Sequence, residues 1–223
     1  MPRSNLFGEN LEAETNERFA LQNSKMLRVA LDGELMALQG SMVAYQGQVQ
    51  FEYEGSGGVG KFLKKHLTGE GLPLMKCTGR GDVFFAHDAD EVHLLSLDNE
   101  SLTISGSNIL AFDPTLQWDI KRVEGVGLIA GGLYNTTLSG TGQVAITTHG
   151  SPVVLKIDKP TFVDIQAAVA WSSSLQTSLQ KSFKLKAAIG MGSGEAMQLA
   201  FAGEGFVVVQ ASEGPTVPPH SHG

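Results

Sequence analysis

The stretch that decides the fold is LDNESLTISGSNILAFDPTLQWDI, residues 97–120. It ends in a strict alternation that places Leu116, Trp118 and Ile120 on one side and polar residues on the other. Such alternation is typical of a β-strand with one buried face. The stretch also contains Gly106-Ser107 and, shortly after that pair, the triplet Leu110-Ala111-Phe112.

Residues 31–53, 97–120 and 157–179 share these features, and we treat them as three copies of one segment. Each copy begins with an aliphatic residue followed by Asp: Leu31-Asp32, Leu97-Asp98 and Ile157-Asp158. Each then contains an aliphatic-Ala-aromatic triplet: Val43-Ala44-Tyr45, Leu110-Ala111-Phe112 and Val169-Ala170-Trp171. The comparison predicts a strand for 174–179, although apolar residues spaced by four there also suggest a helix.

Glycine marks a second type of segment, which follows each copy of the first. Gly occurs 27 times, roughly 12% of the chain against an average near 7%. The second segments, 69–86, 140–157 and 192–210, begin with Gly69-Glu70-Gly71, Gly140-Thr141-Gly142 and Gly192-Ser193-Gly194. Three whole units then result only if the last segment joins the first copy, so we expect the chain to close on itself. Closure would pair strand edges that are otherwise exposed.

These patterns predict an all-β fold: an antiparallel sandwich or barrel-like body of three internal repeats in a pseudo-threefold arrangement, with one or two short helices. Short β-rich runs at regular spacing, separated by glycine turns, are typical of such folds. We expect a single β domain over 19–212, flanked by a flexible N-terminal segment (1–18) and a flexible C-terminal tail (213–223).

Composition excludes several classes of protein. The net charge is −7, and nucleic-acid binding, which needs Lys and Arg to neutralise phosphates, is therefore not expected. The single Cys excludes an internal disulfide framework. No apolar run approaches the roughly 20 residues that span a bilayer, and the polar, acidic N-terminus is not a secretory signal. We expect a cytoplasmic protein.

Two glycine-rich stretches imitate nucleotide-binding loops. Residues 55–61, GSGGVGK, resemble a phosphate-binding loop, but Phe62 stands where that loop has Ser or Thr. Residues 125–130, GVGLIA, match a dinucleotide fingerprint, but more glycines follow instead of a helix. We interpret both as connectors, and we expect no cofactor.

The segment 87–93, HDADEVH, collects five side chains that can bind a metal. His87, Asp90 and His93 are the candidates for such a site. A solvated, acidic hairpin tip is the simpler interpretation. Cys77 alternates with Met75, and we expect it to be a buried small hydrophobe without catalytic function.

The connectors 54–68, 121–139 and 180–191 each follow one copy of the first segment, and a threefold arrangement would bring them together at one end. They contain apolar residues that we expect to form an interaction surface, since contiguous exposed apolar surface commonly marks such a site. The residues are Phe62, Leu63, Leu67, Leu128, Ile129, Leu133 and Ile189.

The chain resembles the altered inheritance of mitochondria protein 24 family over about Phe19 to Ser212. The matching residues include 38–45 (LQGSMVAY), 106–112 (GSNILAF), Gly79-x-Gly81 and the run from Gly192 to Val207. The resemblance implies an all-β fold comparable with the tryptophan RNA-binding attenuation protein. It implies no catalytic residues. Mitochondrial relatives are tied to inner-membrane organisation and respiratory-complex assembly, whereas the acidic first turn here indicates a bacterial member.

We therefore expect a non-enzymatic β scaffold that binds a protein partner or further copies of itself, with peripheral membrane association as an additional expectation. One alternative is a β barrel that binds a small ligand, or a metal at the His87 and His93 loop. Another is an enzyme that motif analysis does not recognise.

Overall fold

The fold was analysed in a computed structural model, which describes residues 4–53, 72–122, 134–181 and 197–212. These residues form fourteen strands and very little helix. The strands are β1 Phe19–Asn23, β2 Met26–Leu38, β3 Met42–Tyr53, β4 Leu74–Phe85, β5 Glu91–Ser105, β6 Ile109–Phe112, β7 Gln117–Arg122, β8 Tyr134–Thr148, β9 Val153–Ile157, β10 Thr161–Asp164, β11 Ala168–Ser172, β12 Gln176–Lys181, β13 Met197–Ala202 and β14 Gly205–Val209. The all-β prediction is confirmed.

Helical structure in the described ranges is limited to α1, Leu6–Glu9, and one turn of 3₁₀-helix at Gly106–Asn108. None of the helices in these ranges is long and apolar enough to cross a membrane. The stretch 176–181 forms β12, so the prediction of a strand rather than a helix at this point is confirmed.

The strands pair antiparallel in two sheets. An eleven-stranded sheet has the order β3-β4-β2-β6-β8-β5-β11-β14-β9, with β1 added to β2 and β7 added to β8. A three-stranded sheet has the order β10-β13-β12. Most neighbouring strands are also close in the chain, because short connections favour antiparallel pairing of consecutive strands.

Glycine pairs lie within the long strands β4 and β8 and at the junction of β13 with β14. The aliphatic residue that begins each copy of the first segment lies opposite the second glycine of a Gly-x-Gly pair: Leu31 opposite Gly81, Leu97 opposite Gly142, and Ile157 opposite Gly205. We call Gly79/Gly81, Gly140/Gly142 and Gly203/Gly205 the corner pairs. The first member of each has positive φ, which glycine adopts at little steric cost.

The corner pairs correct the glycine alignment taken from the sequence. Gly140 and Gly142 occupy the position of Gly79 and Gly81, and not that of the segment start at 69–71. The sequence comparison aligned Gly140-Thr141-Gly142 with Gly69-Glu70-Gly71 instead of with the next Gly-x-Gly motif. The two motifs cannot be told apart by sequence, since both read Gly-x-Gly.

The expected closure of the chain is also wrong for the described residues. The path through the large sheet begins at β3 and ends at β9, and β14 pairs with β9 and β11 rather than with β2 or β3. Each second segment instead pairs with the first segment that precedes it, as β4 does with β2 and β3. The described strands form no closed barrel, and the pseudo-threefold arrangement is not confirmed.

Three apolar clusters form the core. The first is built mainly from β2 and β4 and also takes in Leu110 and Ala111 of β6. The second, around β5 and β8, likewise takes in Val169 and Ala170 of β11. The third, around β10, β13 and β14, contains Trp171, whose ring packs edge-on against Phe201 at 5.5 Å between centroids. We call β2–β4, β5–β8 and β9–β14 the three strand groups, since each contains one copy of the first segment. The first two clusters are thus each completed by residues of the next strand group along the chain.

Candidate interaction surface

The most exposed apolar strand edge in the described residues is β9, at the end of the large sheet. Val153, Val154 and Leu155 are all exposed, although they follow one another in the strand. Because successive side chains point to opposite faces, both faces of β9 carry apolar surface. One edge of β9 pairs with β14, and no strand among the described residues pairs with the other. That edge therefore offers backbone donors and acceptors flanked by apolar side chains.

The corresponding edge of β2 is covered. Leu27 lies four residues before Leu31 and Val153 four residues before Ile157, so they hold the same place relative to a corner pair. In β2, this edge pairs antiparallel with β1, where Phe19 lies opposite Val29. Leu27 and Val29 are consequently buried, whereas their counterparts in β9 are not.

A second exposed apolar segment lies at the other end of the large sheet. β3 pairs with β4 along one edge, and the described strands leave its other edge unpaired. The triplet Val43-Ala44-Tyr45 is exposed along this strand. In the smaller sheet, Phe162 of the edge strand β10 is also exposed.

The segment 87–93 links β4 to the first residues of β5, and its exposed residues are Asp88 and Ala89. β4 and β5 do not pair with each other, so the prediction of a hairpin tip is wrong. The Asp90 carboxylate lies between two imidazoles, with its Oδ1 2.5 Å from His149 Nδ1 and its Oδ2 3.7 Å from His87 Nδ1. The side chain of His93 does not join this group, and its Nε2 lies 2.8 Å from Thr148 Oγ1.

The metal candidates are thus only partly brought together. The structure adds His149 to Asp90 and His87, a neighbour that the sequence did not indicate because it lies far along the chain. In the part of the chain that the structure describes, no group of three His, Cys, Asp or Glu side chains is placed to hold a metal ion.

Cys77 is buried in β4, as predicted. Burial raises the pKa of its thiol to about 12 by desolvating the thiolate. A thiol with this pKa carries almost no thiolate at neutral pH and is a poor nucleophile.

Half-buried carboxylates in the body of the fold are engaged in ion pairs. Asp82 Oδ1 accepts a hydrogen-bonded contact from Arg28 Nη2 at 2.7 Å. Asp113 Oδ1 lies 3.0 Å from Arg18 Nε, while its other oxygen accepts the backbone N–H of Gln143 at 2.8 Å. The first pair joins β2 to β4, and the second joins the residue before β1 to the residue after β6.

The connector residues expected to form the interaction surface lie outside the described residues. They are Phe62, Leu63, Leu67, Leu128, Ile129, Leu133 and Ile189. The glycine loops at 55–61 and 125–130 lie outside them as well. The predicted surface at the connectors stays a prediction.

The comparison with known proteins assigns the family. The family model described as "Mitochondrial biogenesis AIM24" matches residues 19–212. The chain belongs to the AIM24 family. This confirms the resemblance and its limits at Phe19 and Ser212. No curated protein matches the chain.

A solved structure shows the same fold. The crystal structure of protein SPYM3_0169 from Streptococcus pyogenes superposes with a TM-score of 0.68 and 21% sequence identity, covering 87% of this chain and 92% of that one. At this identity, the similarity concerns the fold alone. The AIM24 chain thus has a structural neighbour in a bacterium.

Sequence analysis included 153–155 in the second segment 140–157 but did not identify the exposure of these three residues. Three consecutive apolar residues are also what a strand buried on both faces shows. Lys156 and the preceding Ser151-Pro152 were the available signals of an edge.

Proposed function

We propose that this AIM24 chain is a non-enzymatic β scaffold that binds an extended, apolar segment of another protein along the free edge of β9. The observation that carries the proposal is the contrast between two corresponding edges. β1 covers the edge of β2, while the described residues leave the edge of β9 open with Val153, Val154 and Leu155 exposed. An added strand gains backbone hydrogen bonds and buries side chains on both faces.

β1 indicates what kind of segment such an edge accepts. It is short, antiparallel to its neighbour, and contributes Phe19 and Ala20 to the buried surface. A partner segment with two or three apolar residues in extended conformation would bury the valines of β9 in the same way. The expected partner is therefore a flexible or terminal apolar segment, and not a preformed helix.

A scaffold role agrees with the chemistry of the interior. The thiol of Cys77 is a poor nucleophile, and the half-buried Asp82 and Asp113 are each engaged in an ion pair with an arginine. The description of the family, mitochondrial biogenesis, supports a role in assembling other proteins. Peripheral association with a membrane-bound assembly is part of the proposal.

Site-specific photo-crosslinking in the native host tests the proposal. A photoreactive amino acid at position 154 should crosslink to one partner, and mass spectrometry should place the crosslink in an extended apolar segment. The same residue at exposed Glu100, on β5, is the matched control. Equal crosslinking patterns at 154 and 100, or no partner at 154, would contradict the proposal.

A further inference from the structure

We infer that copies of this chain associate head to tail, with β10 of one copy pairing antiparallel with the first residues of β3 of the next. Two pairings of this kind exist within a single copy, β2 with β6 and β5 with β11. The residues of β10 and of the triplet 43–45 match those pairings, but they do not pair with each other within the copy. The contact uses β10 and β3, so it does not depend on the edge of β9.

The first internal pairing joins β2 to β6. Met36 lies opposite Phe112 and Ala37 opposite Ala111. The residues on β6 belong to the aliphatic-Ala-aromatic triplet 110–112. The end of one strand group is therefore held by the triplet of the next group.

The second internal pairing repeats this arrangement between β5 and β11. Thr103 lies opposite Trp171 and Ile104 opposite Ala170. In both pairings the alanine of the triplet faces a fully buried apolar residue, and the aromatic residue faces its neighbour one position earlier in the chain.

Phe162 of β10 is at the position in its strand group that corresponds to Met36 in the first group and Thr103 in the second. Each of the three lies opposite the residue three positions before the first glycine of a corner pair. Those opposite residues are Lys76, Thr137 and Ala200. The corresponding partner for Phe162 is the aromatic residue of the remaining triplet, Tyr45.

Exposure shows that this third pairing is missing within the chain. Met36 is 7% exposed and Thr103 9%, but Phe162 is 52% exposed. The triplets differ in the same way, since Phe112 is 0% exposed and Trp171 3%, whereas Tyr45 is 49% exposed. Two large aromatic side chains are therefore left in solvent at the positions where two other groups bury them.

Core packing leads to the same pairing. Leu110 and Ala111 complete the cluster of β2 and β4, and Val169 and Ala170 complete that of β5 and β8. Val43 and Ala44 occupy the corresponding positions in β3, are exposed, and belong to none of the three core clusters. The cluster around Val163 and Phe201 contains Trp171 of the triplet 169–171, but no aliphatic-Ala pair of a further triplet completes it.

A second copy is the occupant that matches both unpaired strands at once. Within one copy, β3 lies at one end of the large sheet and β10 at an edge of the small sheet, and they do not pair. Between copies, the register of the internal pairings places Tyr45 opposite Phe162 and Ala44 opposite Val163. The two surfaces differ, so the contact is heterologous and extends until its rotation closes a ring.

Sedimentation of the full chain over a series of concentrations tests the inference. The wild-type protein should form species larger than a monomer, and Tyr45→Lys or Phe162→Lys should each abolish them. Leu94→Lys, another exposed apolar position, is the matched control and should associate like the wild type. Thermal unfolding of each variant verifies that it folds, as expected for changes at exposed positions.

Mixing the two variants gives a sharper result. The Phe162→Lys copy keeps an intact β3, and the Tyr45→Lys copy keeps an intact β10, so the mixture should form dimers that cannot grow. An Ala44→Cys/Val163→Cys double variant should in turn form disulfide-linked dimers and larger species on oxidation. A wild type that is monomeric at every concentration, a mixture that stays monomeric, or disulfides formed only within one chain would overturn the inference.

Discussion

The rings of Tyr45 and Phe51 meet edge-on, with centroids 5.2 Å apart and planes at 68°, although both residues belong to β3. Six residues of straight strand span about 20 Å. β3 must therefore bend sharply between the two rings. Gly47 stands at the bend with a φ of +98°, opposite Gly81 of the first corner pair.

Replacing Gly47 by Ala should destabilise the fold. A Cβ atom at this position would lie 2.7 Å from the carbonyl oxygen of Arg80, and the positive φ is itself unfavourable for Ala. We expect the free energy of unfolding to fall by roughly 2–4 kcal/mol, since the left-handed backbone costs about 1–2 kcal/mol and the collision adds to it. Chemical denaturation followed by circular dichroism measures the change.

Gly33→Ala provides the matched control, because Gly33 also has positive φ but no atom lies within 4 Å of its would-be Cβ. It should lose only the backbone contribution, about 1–2 kcal/mol. If Gly47→Ala is no more destabilising than Gly33→Ala, the close approach of β3 and β4 is not what requires glycine there.

The pair of Arg28 and Asp82 should contribute to stability far more than the pair of Arg80 and Asp32. The side chains of the first pair are largely buried and 2.7 Å apart, whereas those of the second are mostly in solvent. Asp82→Ala leaves the Arg28 guanidinium without its carboxylate and should cost about 1–3 kcal/mol. Asp32→Ala should change the free energy of unfolding by less than about 1 kcal/mol.

Salt provides an independent measurement of the same difference. Screening weakens exposed ion pairs more than partly buried ones. The cost of Asp82→Ala should therefore persist at high salt in denaturation experiments. A cost that disappears at high salt would show that the Arg28 contact is solvent-screened after all.

The sequence predicted the local structure well because strand alternation and glycine bends are local properties. The strand at 176–181 and the buried Cys77 of β4 were predicted from such patterns. The sequence did not predict which edges stay open, because the triplets at 43–45 and 110–112 have the same character and only their neighbours differ. The prediction that the chain closes on itself was wrong for the same reason, because the pairing of a strand depends on all the strands of the sheet and not on its own sequence.

Cys77 should be unreactive toward alkylating reagents while the protein is folded. Its thiol is buried, and its pKa of about 12 keeps the thiolate population very small near neutral pH. Mass spectrometry after iodoacetamide treatment should find no label on native protein and one label per chain in guanidinium, since the sequence has a single Cys. Rapid labelling of native protein at pH 8 would contradict this burial.

Gln210 should stabilise the fold, because its side chain forms hydrogen bonds to three separate parts of the chain. Its Oε1 accepts hydrogen bonds from Asn108 Nδ2 at 3.2 Å and from the backbone N–H of His149 at 3.0 Å, and its Nε2 donates to the Gln166 carbonyl at 2.9 Å. Gln210→Ala removes all three contacts and should cost about 1–3 kcal/mol. Gln176→Ala, at an exposed position of β12, should stay within about 0.5 kcal/mol of the wild type.

Hydrogen exchange locates this effect. The His149 amide should exchange faster in Gln210→Ala than in the wild type, because its acceptor is lost. Gln210→Glu keeps an acceptor oxygen for that amide but cannot donate to Gln166, so it should retain the protection of His149 while still losing stability. Unchanged exchange at His149 in Gln210→Ala would show that the hydrogen bond from its amide does not persist in solution.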